Sequence, residues 1–270
     1  DPTTDKVKEI EHRGYAVGLK LLRAKVRHLG TEENLRIMTE MSTELKEHID
    51  MAFRTAVKEV LVEDGHAVGV VLENDEVIKA KKIVLAPGRD GSAWLTKVLK
   101  QHGLELYNNQ VDIGVRVETS NIVMEEINSN LYEGKFVYNT SVGTKVRTFC
   151  SNPSGHVVIE NHSGTMLANG HAYHDPKLGS KNTNFALLVS HTFSEPFNEP
   201  NEFAHEVSRL ANKLSNGSVM VQRYGDIKKG RRTTYKRLKE GYTEPTLAEA
   251  VPGDPVSYTH LRAHETRGNL

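Results

Sequence analysis

The stretch that most constrains the fold runs from Phe53 to Gly88 and contains the text "FRTAVKEVLVEDGHAVGVVLENDEVIKAKKIVLAPG". Its first part alternates apolar with polar residues, and the turn sequences "EDGH" and "ENDE" interrupt the alternation at short intervals. A period of two places apolar side chains on one face, as in a half-buried strand. We therefore predict an antiparallel β-meander with strands at residues 53–62, 67–72 and 77–81.

The end of this stretch differs, because residues 83–86 are consecutively apolar and stop at a Pro-Gly pair, residues 87–88. Such a run is typical of a strand buried on both faces. The following text, "DGSAWLTKVLKQHG", has helical periodicity, with Asp90 or Ser92 as the cap and Gly103 as the stop. Strand, glycine turn and helix together form half of a βαβ unit, which indicates an α/β region.

Helical and strand patterns also organise the rest of the chain. A helix of about five turns is predicted from Thr31, with Thr31 as its N-cap. After residue 106 the strand patterns are "VDIGVRVE", "KFVYN", "VRTFC", "HVVIE", "TMLANG" and "FALLVSHTF". One clear helix follows, "EFAHEVSRLANKLSNG", which Gly217 ends. An α/β portion to about residue 106 is thus followed by a β-rich portion to about residue 252.

Seven short motifs occur in the order "HLGTEENL", "VLAPGRDG", "DIGVRVE", "TFCSNPSGHVV", "ANGHAY", "NTNFALLV" and "GDIKKGR". With the meander, they resemble the two-dinucleotide-binding flavoproteins, and more narrowly the uncharacterised FAD-dependent dehydrogenase family of NAD(P)/FAD-dependent oxidoreductases. The resemblance covers nearly all of residues 1–252. It implies an α/β fold, with a partial FAD-binding, Rossmann-like domain containing a β-meander over residues 1–106. A β-rich α+β inserted domain that faces the substrate would occupy residues 107–252.

The resemblance assigns cofactor contacts to particular residues. In such proteins the backbone N–H and C=O at the position of Val57 pair with the adenine ring of FAD. Ala86, Pro87 and Gly88 would form a close-approach turn near the FAD phosphates or ribose, where small residues let the backbone come near the cofactor. Pro87 stands where the family often has Thr, which removes one N–H donor. An ordinary buried strand that ends in a Pro-Gly turn explains the same three residues.

A second candidate contact is the "HxGT" segment of His28, Gly30 and Thr31. The resemblance places it at the start of a helix that faces the cofactor, although a plain N-cap at Thr31 explains the segment equally well. Arg89 and Arg116 are candidate anion contacts, because a guanidinium pairs well with phosphate or carboxylate. Both also fit ordinary surface arginines.

The dinucleotide fingerprint G-x-G-x-x-G occurs nowhere in the chain. In the family this fingerprint holds the FAD pyrophosphate and lies upstream of the part matched here, and a last cofactor-contacting strand and helix lie downstream of residue 252. Residues 253–270 include "VSYTHLRAHETRGNL", which resembles translated sequencing-adapter text and has no counterpart in the family. We therefore expect an internal fragment with a non-native, artefactual tail, weak or no flavin binding, and no activity of its own.

Composition argues against several other functions. Thirty-five basic and thirty-five acidic residues cancel, which argues against nucleic acid as a partner, and the run "KKGRRTTYKRLK" is typical of a solvated face. The single cysteine, Cys150, excludes an internal disulfide and disfavours a dithiol relay, but leaves open a lone thiol near a substrate cavity. The histidines lack the spacing of a zinc site, so no metal is expected. No apolar run could span a membrane, and we expect a cytoplasmic protein.

The expected function is that of an FAD-dependent oxidoreductase, a dehydrogenase in which the flavin carries the hydride chemistry. FAD is the expected cofactor, NAD(P)H is a candidate electron donor, and a small molecule is the expected substrate. Catalytic residues stay unassigned, because the flavin itself is the reacting group. The alternative is a flavin-containing binding protein associated with nucleic-acid modification, without dehydrogenase turnover.

Overall fold

The structure is a computed structural model and describes residues 3–23 and 29–255. The predictions for His28 and for the tail from residue 256 onward lie outside the described residues. The chain divides into two compact units, which are considered separately below. The small unit is Arg36–Asn108, and the large unit combines Asp1–Leu35 with Asn109–Leu270.

Helices and strands are mixed along the chain. The helices are α1 (Asp5–Ala16), α2 (Thr31–Leu45), α3 (Ser92–Gln101), α4 (Asn121–Asn130), α5 (Pro200–Leu214), α6 (Tyr224–Ile227) and α7 (Tyr235–Lys239). The strands are β1 (Leu19–Leu22), β2 (Val57–Glu63), β3 (His66–Leu72), β4 (Val77–Lys79), β5 (Val111–Ser120), β6 (Lys135–Asn139), β7 (Lys145–Asn152), β8 (His156–His162), β9 (Thr165–His171), β10 (Asn182–His191), β11 (Met220–Val221) and β12 (Val251–Pro252). The protein is therefore of mixed α/β class, with several antiparallel sheets.

The predicted meander forms the sheet of the small unit. Strands β2, β3 and β4 lie in chain order, each antiparallel to its neighbour. Glu63 pairs with His66 across Asp64 and Gly65, whose φ angles of 48° and 76° are both positive. A type I′ hairpin turn requires such angles, which explains the Asp-Gly pair at this point. The meander prediction is confirmed, with β2 beginning at Val57 rather than at residue 53.

The apolar run at residues 83–86 does not form a strand. The prediction of a strand buried on both faces is therefore wrong for this structure. Val84 is 90% exposed, while Ile83 and Leu85 are half-buried. A strand needs a neighbour to receive its backbone hydrogen bonds, and no described strand pairs with this run.

Helix α3 follows as predicted, and its Val98 is buried. The cap differs from the prediction, because the N-cap residue is Gly91 rather than Asp90 or Ser92 and no side chain caps the helix. Gly103 follows the helix with a φ of 73°. This left-handed conformation favours glycine, so Gly103 ends the helix as predicted.

The large unit is built on a five-stranded sheet in the order β1-β6-β7-β10-β5, in which neighbouring strands are antiparallel. Strands β8 and β9 form a hairpin, and β9 contacts β5, β7 and β10 of the sheet. Strands β11 and β12 form a short parallel pair. All six strand patterns predicted after residue 106 correspond to strands β5 to β10, and the predicted long helix corresponds to α5.

The first helix and strand lie in the large unit, because β1 pairs with β6 and α1 contacts both β1 and α4. Val7, Ile10 and Leu21 bury their side chains there. Neither β1 nor α4 was predicted from the sequence, and residues 1–106 were expected to form one domain. In the structure residues 1–35 instead lie with the later part of the chain.

Candidate functional site

A β-bulge in β7 gives Cys150 an unusual backbone conformation. The pairing of β10 with β7 steps from Asn184–Asn152 to Ala186–Phe149, so β7 contains one residue more than β10 over this interval. Within the bulge, Cys150 has a φ of 51°, in the left-handed region that costs a non-glycine residue about 1–2 kcal/mol. Bulges and strained residues are concentrated near functional sites, so the surroundings of Cys150 are a candidate site.

A buried carboxylate holds the backbone of this bulge. The N–H of Cys150 donates to Oε1 of Glu133 at 2.8 Å. The side chain of Glu133 is only 1% exposed, and Nζ of Lys135 lies 3.5 Å from its other oxygen. A buried carboxylate needs such partners to offset its lost hydration. Glu133 thus positions Cys150, and its own charge is matched by Lys135.

Arg116 of β5 also contacts this bulge. Strand β10 lies between β5 and β7, so the arginine side chain reaches across β10 to the bulge. Its Nε and Nη2 donate to Oδ1 of Asn184 at 2.9 and 2.7 Å, and Nη2 also donates to the carbonyl of Cys150 at 2.8 Å. Nδ2 of Asn152 donates to the same carbonyl at 2.9 Å. Four strands therefore contribute to one group of residues, named here the Arg116 cluster: Arg116, Cys150, Asn152, Gly170 and Asn184.

Gly170 of β9 allows the hairpin backbone to lie against this cluster. A Cβ atom at residue 170 would be 1.7 Å from Nη2 of Arg116 and 2.4 Å from Nδ2 of Asn152. Both distances are far below van der Waals contact. Glycine is therefore required at this position as long as the guanidinium keeps its place.

The Arg116 cluster carries an unmatched positive charge. Arg116 is half-buried and forms no ion pair with any carboxylate of residues 3–23 or 29–255. Burial lowers the pKa of Arg116 from its ordinary value, and the neighbouring Cys150 opposes that shift. A guanidinium nevertheless stays protonated in proteins. The cluster therefore holds a cation whose hydrogen bonds in this structure go to neutral acceptors.

Asn184 leaves a donor unused in the same place. The residue is fully buried, and its Nδ2 has no hydrogen-bond acceptor within the described part of the chain. Its Oδ1 accepts from Arg116 and, at 3.4 Å, from Asn152. These two donors determine which end of the amide faces the guanidinium. Buried donors without partners are rare in proteins, so this one calls for an explanation.

A second group of titratable residues lies in the large unit at the end of β9. The carboxylate of Glu32 accepts the backbone N–H of His174 at 2.5 Å, and this hydrogen bond lowers the pKa of Glu32. Nε2 of His171 is 3.9 Å from Glu32, and the ring of His171 meets that of Tyr173 edge-on at 4.3 Å. A carboxylate, an imidazole and a phenol are thus adjacent. Their side chains remain partly exposed.

A shallow pocket of about 330 Å³ lies at the start of α4. Asn121, Asn128 and Ser154 are among its lining residues. Nδ2 of Asn121 donates to Oγ of Ser154 at 3.0 Å, and Oδ1 of Asn121 accepts from Thr183 at 2.8 Å. Because these polar groups already bind one another, the pocket is part of the hydrogen-bonded scaffold of the sheet.

The two described residues of the "HxGT" segment lie at the start of α2. The carbonyl of Gly30 accepts the N–H of Asn34 at 3.0 Å, which gives Gly30 rather than Thr31 the N-cap position. The prediction of Thr31 as the cap is therefore wrong. The carboxylate of Glu32 lies over Gly30, since a Cβ there would be 2.6 Å from Oε2 of Glu32.

Val57 begins β2, at one edge of the small sheet. It pairs with Leu72, and the N–H of Glu73 donates to the carbonyl of Ala56 at 3.0 Å. A hydrogen bond between these flanking residues marks Val57–Leu72 as a non-hydrogen-bonded pair, whose own backbone groups point away from each other. The N–H and C=O of Val57 therefore point off the edge of the sheet, away from β3.

Ala86, Pro87 and Gly88 form an exposed turn that leads into α3. Gly88 has a φ of 68°, and a Cβ there would have no other atom within 4 Å. The backbone of this turn can thus be approached closely by a ligand. The turn and Val57 both belong to the small unit, whereas Gly30 and Thr31 belong to the large one.

Of the Arg116 cluster, only Arg116 was predicted from the sequence as an anion contact and Cys150 as a possible lone thiol, whereas Asn152, Gly170 and Asn184 were not predicted as site residues. Each of these three residues lies in a motif that carried the resemblance, "TFCSNPSGHVV", "ANGHAY" or "NTNFALLV". The sequence did not show that these three motifs lie next to one another in the folded chain. Arg89, the other arginine named, is exposed.

No group of three or more His, Cys, Asp or Glu residues suited to hold a metal ion occurs among the described residues. In the same part of the chain, no helix is both long and apolar enough to cross a membrane. No protein-family model matches the chain, and no curated protein matches it in sequence.

Proposed function

We propose that this chain belongs to an FAD-dependent oxidoreductase, with residues 36–108 contributing the contact to the adenine ring. The proposal rests on one observation, the outward orientation of the N–H and C=O of Val57 at the edge of β2. It is supported by the order of the seven sequence motifs, which resembles that of flavoproteins.

The orientation of Val57 suits the chemistry of adenine. The edge of adenine presents a ring nitrogen that accepts a hydrogen bond beside an amino group that donates one. A strand residue in a non-hydrogen-bonded pair presents one N–H and one C=O on the same side, at a fixed spacing. The backbone of Val57 can therefore bind adenine in the manner of an added strand partner, with no contribution from its side chain.

Residues 86–88 fit the same proposal. The exposed turn and the left-handed Gly88 let a phosphate or ribose approach the backbone. Arg89 follows directly and supplies a guanidinium on the same turn. In this proposal the chain binds and orients the cofactor, and bound FAD supplies the hydride chemistry, with NAD(P)H as the electron donor.

An NMR titration of the chain with ADP tests the adenine contact, and FMN is the matched control ligand because it carries phosphate but no adenine. We expect weak, saturable shifts of the Val57 backbone amide with ADP and none with FMN. Absence of any ADP-dependent shift at Val57 would contradict the proposal. Stoichiometric flavin in the purified chain would support the cofactor but contradict the expected weak binding.

Two proline substitutions sharpen this test. Val57→Pro removes the proposed N–H donor, and proline is tolerated at the first residue of an edge strand whose N–H points outward. Val77→Pro is the control, because Val77 begins the opposite edge strand and its pair with Val71 is flanked in the same way, by a bond from Leu72 to Glu76. Only Val57→Pro should abolish the ADP-dependent shifts of the surrounding β2 amides.

A further inference from the structure

Two groups of the Arg116 cluster lack a partner among the described residues, one an opposite charge and the other a hydrogen-bond acceptor, and the two groups lie next to each other. The first is the positive charge of Arg116, which is bonded to the amide oxygen of Asn184 and the carbonyl of Cys150 and to no described carboxylate. Partly buried charges in proteins are normally paired, because neutral dipoles replace only part of their lost hydration. No carboxylate among the described residues thus neutralises Arg116, and the cluster can accept a negative group.

The second group is the unused donor of Asn184. Its Nδ2 is buried without an acceptor among the described residues, although its Oδ1 binds the guanidinium. Rotating the amide would bring its NH₂ group against the donors of Arg116 and Asn152, so the present orientation is required. The missing partner of Asn184 is therefore a hydrogen-bond acceptor within reach of the same guanidinium.

We propose that the Arg116 cluster binds the carboxylate group of a small-molecule ligand. A carboxylate carries one negative charge and two acceptor oxygens, so a single carboxylate can bind both groups. A water molecule would satisfy Asn184 alone and leave the charge of Arg116 unmatched. Arg116, Cys150 and Asn152 are half-buried, so the cluster is partly open to solvent, whereas Nδ2 of Asn184 itself is buried.

The geometry of the neighbouring strands supports a built site. Gly170 leaves the space that the guanidinium occupies, and the bulge at Cys150 turns a carbonyl toward it. Glu133 holds that bulge from behind through the N–H of Cys150. Strained backbone, a required glycine and a constrained arginine thus converge on one point, as in preorganised binding sites. This proposal concerns the large unit alone and does not depend on flavin binding.

Acetate is the probe for this site, with chloride at equal ionic strength as the reference. In the intact chain we expect acetate to shift the side-chain NMR signals of Asn184 and Arg116 in a saturable way and to raise the Tm above the chloride reference. No saturable shift at these two side chains beyond that caused by chloride would overturn the proposal.

The substitution Asn184→Asp supplies the missing carboxylate from within the chain. We expect it to raise the Tm without acetate and to weaken acetate binding about tenfold or more, since it occupies the site and repels an anion. Asn161→Asp makes the same chemical change at an exposed position near the end of β8 and should leave acetate binding unchanged. Arg116→Gln should also lose acetate binding. Equal acetate affinities in Asn184→Asp and the unaltered chain would show that the cluster is only structural.

Discussion

The indole N–H of Trp94, in α3, donates a 2.9 Å hydrogen bond to the carbonyl of Lys58, in β2. Lys58 lies where the register of β2 against β3 shifts, so its carbonyl is turned out of the ladder. Further along α3, Nε2 of His102 lies 3.2 Å from the carbonyl of Val60. Two side chains of the helix therefore bind backbone groups of an edge strand and hold the small unit together.

We predict that Trp94→Phe destabilises the small unit by about 1 kcal/mol, because it removes this hydrogen bond and leaves the carbonyl of Lys58 without its donor. Hydrogen exchange of the β2 amides measures the effect locally. Tyr107→Phe is the control, since it also removes one aromatic donor, but from an exposed bond to Glu105. Unchanged β2 protection in Trp94→Phe would contradict the structural role of the bond.

The effect of a substitution at Cys150 on stability should depend on how well the new residue tolerates a positive φ. We predict that Cys150→Val lowers the free energy of unfolding by about 1–3 kcal/mol relative to Cys150→Ala, because a β-branched side chain is least compatible with a φ of 51°. Cys150→Gly should be at least as stable as Cys150→Ala. Urea unfolding followed by circular dichroism gives the comparison, and equal stability of the valine and alanine variants would count against a left-handed Cys150.

Gly170→Ala should disrupt the Arg116 cluster. The new methyl group would overlap the guanidinium of Arg116, so the side chain must leave its place against Asn184, at a cost of about 1–3 kcal/mol. Thermal unfolding measures this loss. Gly225→Ala is the control, because Gly225 lies in α6 with open space around its Cα, and it should be neutral or slightly stabilising. Similar Tm values for both variants would contradict the close approach.

Asp226 should make the free energy of unfolding depend on pH in the acidic range. Burial by itself would raise its pKa, but hydrogen bonds from Arg231 and Thr233 outweigh burial and lower the pKa to about 2. A carboxyl whose pKa falls on folding stabilises the protein above its unfolded pKa, and that contribution is lost as the pH falls from about 4 to about 2.

We therefore predict that Asp226→Asn destabilises the protein near neutral pH and that the difference from the unaltered chain shrinks below about pH 4. Urea midpoints measured across this range test the prediction. Asp75→Asn is a suitable control, because Asp75 is exposed and forms a surface ion pair with Lys58, so its effect should be smaller. A pH-independent difference for Asp226→Asn would contradict the assignment.

Local sequence patterns predicted the elements whose cause is local. The alternation of the meander, the Asp-Gly turn at residues 64–65 and the glycines after α3 and α5 each act within a few residues, and all appear in the structure. Strand β1 was missed because its four residues are too short for a pattern. Helix α4 was also missed, although Ser120 caps it.

The basic run at residues 228–239 shows that amino-acid composition does not predict which charged side chains form buried ion pairs. It was predicted to be a solvated face, yet Arg231 and Arg237 both turn inward to the buried carboxylate of Asp226. The count of charges in the run could not show this, because the partner precedes the run and is reached only when the chain folds back.

The sequence by itself determined the meander, strands β5 to β10, helices α3 and α5 and the glycine turns, because periodicity and glycine conformations are properties of short segments. It did not determine which backbone edges stay open or which charges meet, because these depend on contacts between distant residues. Arg116 and Asn184 are 68 positions apart, and only the pairing of β5 with β10 brings them together. The same holds for residues 83–86, which are apolar enough for a strand but pair with no described neighbour.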